Sequence, residues 1–305
     1  MKTYQDEPNN IEEIRKFCIY EKQDVLTKTS EAKAIFMYDT CSIIHHANAQ
    51  KIESISNYIK KHMGIVLITK TVLVELSSSD NGGNILEKNV NFLRNLNGFG
   101  IDIIIFEEEL CYDCIKFSFS YTLNDINEKM KYAICFTKGF QGAIAQYIDI
   151  LPQKERIALL HGESSREPIT EFFTKIRKRK TPQDSLAEEL IFLMIILLQG
   201  IINEVVFLSD DFKSSDKFLQ LTDYIQKHYN RKGIHMYTTA VLYYKQVREN
   251  IIDLEEGRKL LECTYSNNIK MYASDKNDFK VEKKELSIEE FIKIINEDSE
   301  FRIYR

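Results

Sequence analysis

Positive charge is in deficit: 41 Lys and Arg stand against 46 Asp and Glu in 305 residues, a net charge of −5. A strongly basic nucleic-acid binder would show the opposite balance, so contact with nucleic acid would have to rest on a local patch. Long apolar runs are also lacking. The most hydrophobic stretch, Leu190 to Ile202, is too short to span a bilayer and is interrupted by Gln199-Gly200. It reads as a buried helix, and no membrane partner is expected. The first thirty residues are charged throughout and carry no apolar segment of the signal-peptide kind. Cysteine is sparse, at Cys18, Cys41, Cys111, Cys114, Cys135 and Cys263. In a chain of this length without a signal peptide, these read as reduced thiols of a cytoplasmic protein. No internal repeat is visible. A P-loop, a Rossmann glycine fingerprint, a Gly-x-Ser-x-Gly elbow and a His-Glu-x-x-His pair are all missing, so the chemistries they mark have no footing here.

What is present is a core-forming composition, 44% apolar, with an ordinary 29% of charged residues. Residues 1–10 are polar. Asn10 is placed to cap a helix running from Ile11 toward Leu26, with acids in its first turn. Ala34-Ile35-Phe36-Met37-Tyr38 is an apolar run of strand length that stops on Asp39. A helix through Ile43, Ile44, Ile52, Ile55, Tyr58 and Ile59 follows, ended by Gly64. Ile65 to Thr69 reads as a second strand, with Thr71 capping a helix that carries Glu75. Ile85 to Asn95 reads as a helix and Ile101 to Phe106 as a third strand. The order strand, helix, strand, helix, strand predicts a mainly parallel sheet with helices on its faces.

That rhythm breaks between Glu107 and Lys180. Periodicity there is helical, with one weak strand candidate at Ala133-Ile134-Cys135-Phe136 and a loop at His161-Gly162-Glu163-Ser164-Ser165. The α/β pattern returns at Thr181-Pro182-Gln183-Asp184, which has the form of a helix start: N-cap Thr, Pro at N1, acid at N3. Glu204 to Ser209 is a strand ending on Asp210-Asp211, and Gly233 to Thr238 is the last strand of the set. The expected fold class is α/β. The expected division is an N-terminal helical appendage (1–32), a core in two parts (33–106 and 181–262), a helical insertion (107–180) and a C-terminal extension (263–305) with a short amphipathic helix at Ile288 to Ile295.

The acids carry the chemistry. Asp39 follows strand one, Glu75 follows strand two, Asp184 and Glu188 share a helix face four residues apart, and Asp210-Asp211 follow a late strand. Acids past the carboxyl ends of strands lie where open α/β sheets place ligands. Each acid has a bland alternative: a turn, a helix cap, a solvated first-turn residue or an Asx turn. Their joint placement is what points to a divalent metal. Mg²⁺ and Mn²⁺ are hard ions that take oxygen ligands, and phosphodiester hydrolysis uses such ions to activate water and stabilise the attacking and leaving oxygens.

On these stretches the chain resembles the PIN-domain family of metal-dependent nucleases. Phe36-Met37-Tyr38-Asp39-Thr40-Cys41 is similar to the opening strand and its Asp. Leu67 to Leu76 is similar to the second strand and the helix bearing Glu75. Asp184-Ser185-Leu186-Ala187-Glu188 resembles the third acidic motif. Val205 to Asp211 resembles the fourth, whose Thr or Ser, variable residue, then Asp favours Asp211 over Asp210. The resemblance covers roughly residues 33–106 and 181–262. It departs from small members in the long gap from Glu75 to Asp184 and in the extra segments at both ends. It implies a three-layer α/β/α domain and hydrolysis of RNA, less often DNA, with Mg²⁺ or Mn²⁺. By the same resemblance Asp39, Glu75, Asp184 and Asp211 are metal ligands, directly or through water, with Glu188 and Asp210 as further candidates. An inhibitory or regulatory protein partner and a homo-oligomer are compatible with it.

Other signals are weaker. Lys175, Arg177, Lys178, Arg179 and Lys180 form a basic run just before Thr181, either a solvated helix end or a phosphate-contacting patch beside the acids. Cys111 and Cys114 make a lone CxxC, read as buried free thiols. His45-His46 read as solvent-facing or packing residues. Two other functions compete with the nuclease. One is a phosphatase of the haloacid-dehalogenase type, which calls for an Asp two positions after the first and meets Cys41 instead. The other is a catalytically silent PIN-like module that binds protein or nucleic acid.

Overall fold

Strands β1 (Ala34–Tyr38), β2 (Gly64–Thr69), β3 (Ile103–Phe106), β4 (Glu204–Leu208) and β5 (Ile234–Tyr237) pair in the order β3-β2-β1-β4-β5, every pair parallel. β1 and β3 are buried at every position. Continuous apolar strands, without alternation, are what a parallel sheet covered on both faces requires. The computed structural model describes residues 4–49, 52–161, 166–211, 213–230, 233–266, 268–275, 282–296 and 301–303.

Helices α1 (Ile11–Arg15) and α2 (Lys22–Glu31) precede β1. α3 (Thr40–Ala49) and α4 (Ile52–Lys61) join β1 to β2, and α5 (Lys70–Leu76) and α6 (Glu87–Gly98) join β2 to β3. Then come α7 (Leu110–Ser118), α8 (Leu123–Lys138), α9 (Ala143–Ile150), α10 (Gln153–His161), α11 (Glu167–Arg177) and α12 (Leu186–Leu197) before β4. α13 (Ser214–Tyr229) leads to β5, followed by α14 (Thr239–Arg248), α15 (Leu254–Thr264), β6 (Asn268–Asp275), β7 (Glu282–Ser287), α16 (Ile288–Asn296) and β8 (Phe301–Ile303).

The chain walks one way along the sheet from β1 to β3 and the other way from β4 to β5. Right-handed crossovers therefore put α3, α4 and α6 on one face and α12 and α13 on the other. In keeping with this, α6 packs on α3 and α4, and α12 on α13. The reversal lies between β1 and β4, so their carboxyl ends form a topological switch point, where a crevice opens for ligands.

α12 is the central helix. Nearly all of it is buried between the sheet and the helices of the 107–180 segment, which its almost wholly apolar sequence allows. Phe192 stands 5.4 Å from Phe207, 5.9 Å from Phe140 and 6.0 Å from Phe218, ring centroid to centroid. Truncating such a ring to Ala costs about 3–5 kcal/mol. Ile126, Met130, Ile144, Phe172 and Phe173 of the inserted helices belong to the same apolar core as α12 and the sheet. The insertion is thus a layer of the main body.

Several local expectations are corrected. Ala133 to Phe136 is helical, inside α8, because the apolar positions there follow a helix face that meets α12. The N-terminal helix is broken between α1 and α2, where Ile19 adds to the sheet edge: its N–H reaches Ile103 O at 2.8 Å, and its carbonyl accepts from Ile105 N at 2.9 Å. Asn10 stands at the N-cap of α1 as expected, but its side chain makes no cap hydrogen bond and instead clasps the backbone of Ile85. Thr69, two residues before Thr71, caps α5 by accepting from Val72 N at 3.2 Å. Thr181 does not start a helix. Its N–H and hydroxyl do bond the Asp184 carboxylate at 2.6 and 3.0 Å, but Gln183 at φ 64° makes a turn and α12 begins at Leu186. Residues 162–165 of the expected loop lie outside the described residues.

The C-terminal extension holds an antiparallel sheet, order β7-β6-β8, that the sequence pattern did not announce. β7 reads Glu-Lys-Lys-Glu-Leu-Ser, the charged composition of an exposed edge strand, and so lacks the apolar signature. With α14, α15 and α16 this sheet surrounds a second core of Tyr243, Leu260, Leu261, Ile269, Met271 and Phe291.

Candidate active site

Asp39 leaves the end of β1 with only 3% of its surface exposed. Its Oδ2 accepts from Ser209 Oγ and from Cys41 Sγ, each at 2.9 Å, and its Oδ1 accepts from Thr40 N at 2.7 Å. Ser209 directly follows β4, so the ends of the first and fourth strands meet through this carboxylate. Ser209 Oγ also accepts from Asp211 N at 3.2 Å, which ties Asp211 to the same point. On the other side, the Thr40 hydroxyl donates to Glu75 Oε2. Glu75 Oε1 takes the Lys180 ammonium at 2.8 Å, and the same ammonium bridges to Asp184. One continuous run of polar contacts therefore joins the carboxylates of Asp39, Glu75 and Asp184 and the main chain of Asp211 at the carboxyl edge of the sheet, while Asp211 Oδ1 accepts from Lys213 N at 2.9 Å.

Glu188, in the first turn of α12, faces this run. Its Oε2 is buried and has no hydrogen-bond partner among the described residues. Burial pushes its carboxyl up to about 9, with the charges of Asp39, Glu75 and Asp211 adding to the shift. Asp39 is likewise pushed up to about 6, by burial first and then by Glu75, against the hydrogen bonds that favour its charged form. The site carries more negative charge than its own partners neutralise. A cleft of about 710 Å³, lined by Asp184, Glu188, Asp211, Lys213 and Lys217 among others, opens beside these acids.

Asp210 is turned to other work. Its oxygens accept from Thr239 N and Thr239 Oγ1, both at 2.7 Å, from His45 Nδ1 and Tyr265 OH, both at 2.9 Å, and from Ser42 Oγ at 3.3 Å. Burial works against its charge, yet the His45 hydrogen bond and the other donors hold its carboxyl down at about 2. Asp210, named above as a further candidate ligand, is engaged on both oxygens as a structural anchor between β4, α3, α14 and the C-terminal extension. His46 is fully buried between Tyr38 OH and Thr239 Oγ1, and burial brings it down to about 4. Cys111 and Cys114 are buried free thiols.

The basic run divides. Arg177 is buried in an ion-pair cluster with Glu108, Glu109 and Asp6, where it fastens α11 to the start of α7. Lys180 is buried on Glu75 and Asp184; burial opposes its charge, but these acids outweigh burial and raise it. Neither is free to meet a phosphate, which corrects the reading of all five as one surface patch. Lys175 is exposed and pairs with Glu155 and Glu171, while Lys178 and Arg179 lie at the surface.

Sequence reasoning missed Lys180 as the partner of the acids, since a run of cations reads as surface. It also missed Glu189. This wholly buried carboxylate accepts from Ile144 N at 2.9 Å, Ser185 Oγ at 2.6 Å and Lys217 Nζ at 2.7 Å, and so binds α9 to α12 and α13. Gly142 makes room for it: a Cβ there would lie 1.6 Å from Glu189 Oε1. The hydroxyls of Thr40 and Ser209 had a visible signal, each standing within two residues of a motif acid.

Among the described residues no three His, Cys, Asp or Glu side chains form a group that could hold a metal ion as they stand. Lys180 claims Glu75 and Asp184, and the Cys41, Ser209 and Thr40 donors claim Asp39. In comparisons with known proteins, no family model, no curated protein and no solved structure matches this chain.

Proposed function

We propose that the chain is a PIN-like, metal-dependent endonuclease with a three-layer α/β/α core, acting on RNA in the first place. The observation that carries this reading is the contact run joining Asp211, Asp39, Glu75 and Asp184 at the switch point, with Glu188 beside it. Lys180 supplies one positive charge to this gathering, and the remaining carboxylates repel one another unless a further cation joins them. The donors suit Mg²⁺ or Mn²⁺ in kind, being hard carboxylate oxygens. The unpartnered, buried Oε2 of Glu188 is a coordination position for which the described residues offer no donor.

Asp39, Glu75 and Glu188 would hold the ion, with Asp184 and Asp211 reached directly or through water. When bound, the ion supplies Lewis-acid polarisation of the phosphate and eases deprotonation of water. The chain's own part is to position. Ser209 and the Thr40 amide hold the Asp39 carboxylate in place, and the Thr40 hydroxyl and Lys180 do the same for Glu75. The apolar residues of β1, β4 and α12 beneath the acids keep bulk water from that side, which strengthens every charge interaction above them.

The test is cleavage of a single-stranded RNA by wild type and Asp39→Asn, alongside calorimetric titration with Mn²⁺. Wild type should cleave only with Mg²⁺ or Mn²⁺. Loss of a supporting residue in a metal site costs 10–100-fold, so loss of Asp39 should cost about 100-fold or more. Equal cleavage by both proteins would trace the activity to a contaminant. A silent binding module is the second reading, favoured by the hold of Lys180 on two of the acids; RNA binding without Mn²⁺ binding or turnover would select it.

A further inference from the structure

Two clefts open beside the acids. A second cleft of about 570 Å³ is lined by α9 of the insertion on one side and by the 178–181 segment on the other, and it shares Asp184 with the 710 Å³ cleft. Each cleft carries exposed cations, Lys178 and Arg179 in the smaller and Lys213 in the larger. The Arg179 guanidinium lies 5.6 Å from the centre of the Tyr147 ring, which fixes where its charge is presented. Lys217 lines the larger cleft too, but it is spent on Glu189 and Ser185. The smaller cleft has an apolar wall that includes Ile150, which is 59% exposed on α9. Ile150 shares this lining with Lys178, Arg179 and Asp184, so one cleft presents an apolar surface, two exposed cations and an acid of the site together.

We infer that the insertion and the core together form a channel for a single-stranded nucleic acid, with phosphates held by Lys178 and Arg179 on one flank and by Lys213 on the other. The inference rests on the nuclease reading for what lies between the flanks. The pairing of cations with the acids in both clefts is what selects the ligand. A polyanion passing an acid cluster needs cations on both sides of it, and this chain, acidic overall, supplies them there. The apolar wall selects the form. In a duplex the base faces are stacked away, whereas a single strand can lay a base on Ile150 while its backbone follows the charges. The helical insertion thereby gains a role in binding, because α9 is one bank of the channel, pinned by Glu189 at its first turn.

Binding is measured by fluorescence anisotropy of a labelled single-stranded RNA 12-mer, in EDTA, with the full-length Asp39→Asn protein so that no cleavage interferes. Each phosphate contact on a single strand contributes about 0.7 to the slope of log K against log salt. The triple variant K178E/R179E/K213E should therefore lower that slope by roughly two and weaken binding at least tenfold. I150E should weaken binding of the single strand without a comparable change for a duplex of the same sequence. All the altered side chains are exposed, and a melting curve matching the parent excludes misfolding. Unchanged affinity and slope in the triple variant, or equal binding of duplex and single strand, would overturn the channel. Binding that follows these expectations in a protein whose wild type never cleaves RNA would leave the channel standing and remove the nuclease. Metal-dependent cleavage by a triple variant with undiminished binding would do the reverse.

Discussion

The Lys180 ammonium lies 2.8 Å from Glu75 Oε1 and bridges at the same time to Asp184, so one buried cation joins the end of the insertion to two acids of the site. The side chain is only 2% exposed. It neutralises part of a cluster that otherwise repels itself, and it does so from the turn where the inserted helices hand back to the core.

Replacing Lys180 with Met should destabilise the metal-free protein by about 3–5 kcal/mol, since breaking a buried pair strands the partner charges. Chemical denaturation in EDTA measures this. Added Mn²⁺ should recover more stability in the variant than in wild type, because the ion then meets acids that no ammonium holds. An equal gain in both proteins would separate Lys180 from the cation's place.

Glu188→Gln removes a carboxyl whose folded state keeps its proton up to about 9, against 4.5 ordinarily. A group raised in this way contributes stability that is complete below its unfolded value and is lost as pH climbs through the folded one. Wild-type protein in EDTA should therefore lose stability relative to Glu188→Gln between pH 4.5 and pH 9, and the two curves should run parallel outside that window. Melting temperature against pH for both proteins gives the comparison; parallel curves throughout would mean that Glu188 does not feel its neighbours.

Asp210→Asn tests the structural anchor. Folding holds Asp210 at about 2, below its usual 3.8, so its contribution is present above 3.8 and fades as pH falls toward 2. At neutral pH the substitution should cost about 3–5 kcal/mol, as for other broken buried charge networks. The deficit should shrink in the acid range. If it did not, the donors around Asp210 would not depend on its charge.

Gly142→Ala should be poorly tolerated, because the new methyl would meet Glu189 Oε1 at 1.6 Å. The expected loss is about 1–3 kcal/mol, the usual cost of overpacking. Hydrogen exchange should report it first at the start of α9, where Ile144 N would lose its acceptor. Protection unchanged at that amide would show that Glu189 is not what holds the helix.

Much of the frame follows from composition along the chain. Four of the five parallel strands are mainly apolar runs of the length a covered sheet needs; the edge strand β5, Ile-His-Met-Tyr, is half-buried and carries the pattern least. Asp39 and Asp210-Asp211 stand out for the same reason, since a carboxylate that stops an apolar run is conspicuous. By sequence alone, then, this protein is an α/β molecule with a parallel sheet, interrupted by helices and edged with Asp39, Glu75, Asp184, Glu188, Asp210 and Asp211. Tertiary structure decided which of those acids share a site and what each is used for. Ser209 reaches Asp39 across 170 residues, and Tyr265 reaches Asp210 across 55. Adjacent Asp210 and Asp211 divide into an anchor and a rim residue because successive side chains past a strand end point in different directions. Lys180 leaves its basic run for the interior because two distant carboxylates compensate its burial. No periodicity or local spacing encodes such partners, since their energy comes from groups that only the folded chain brings together.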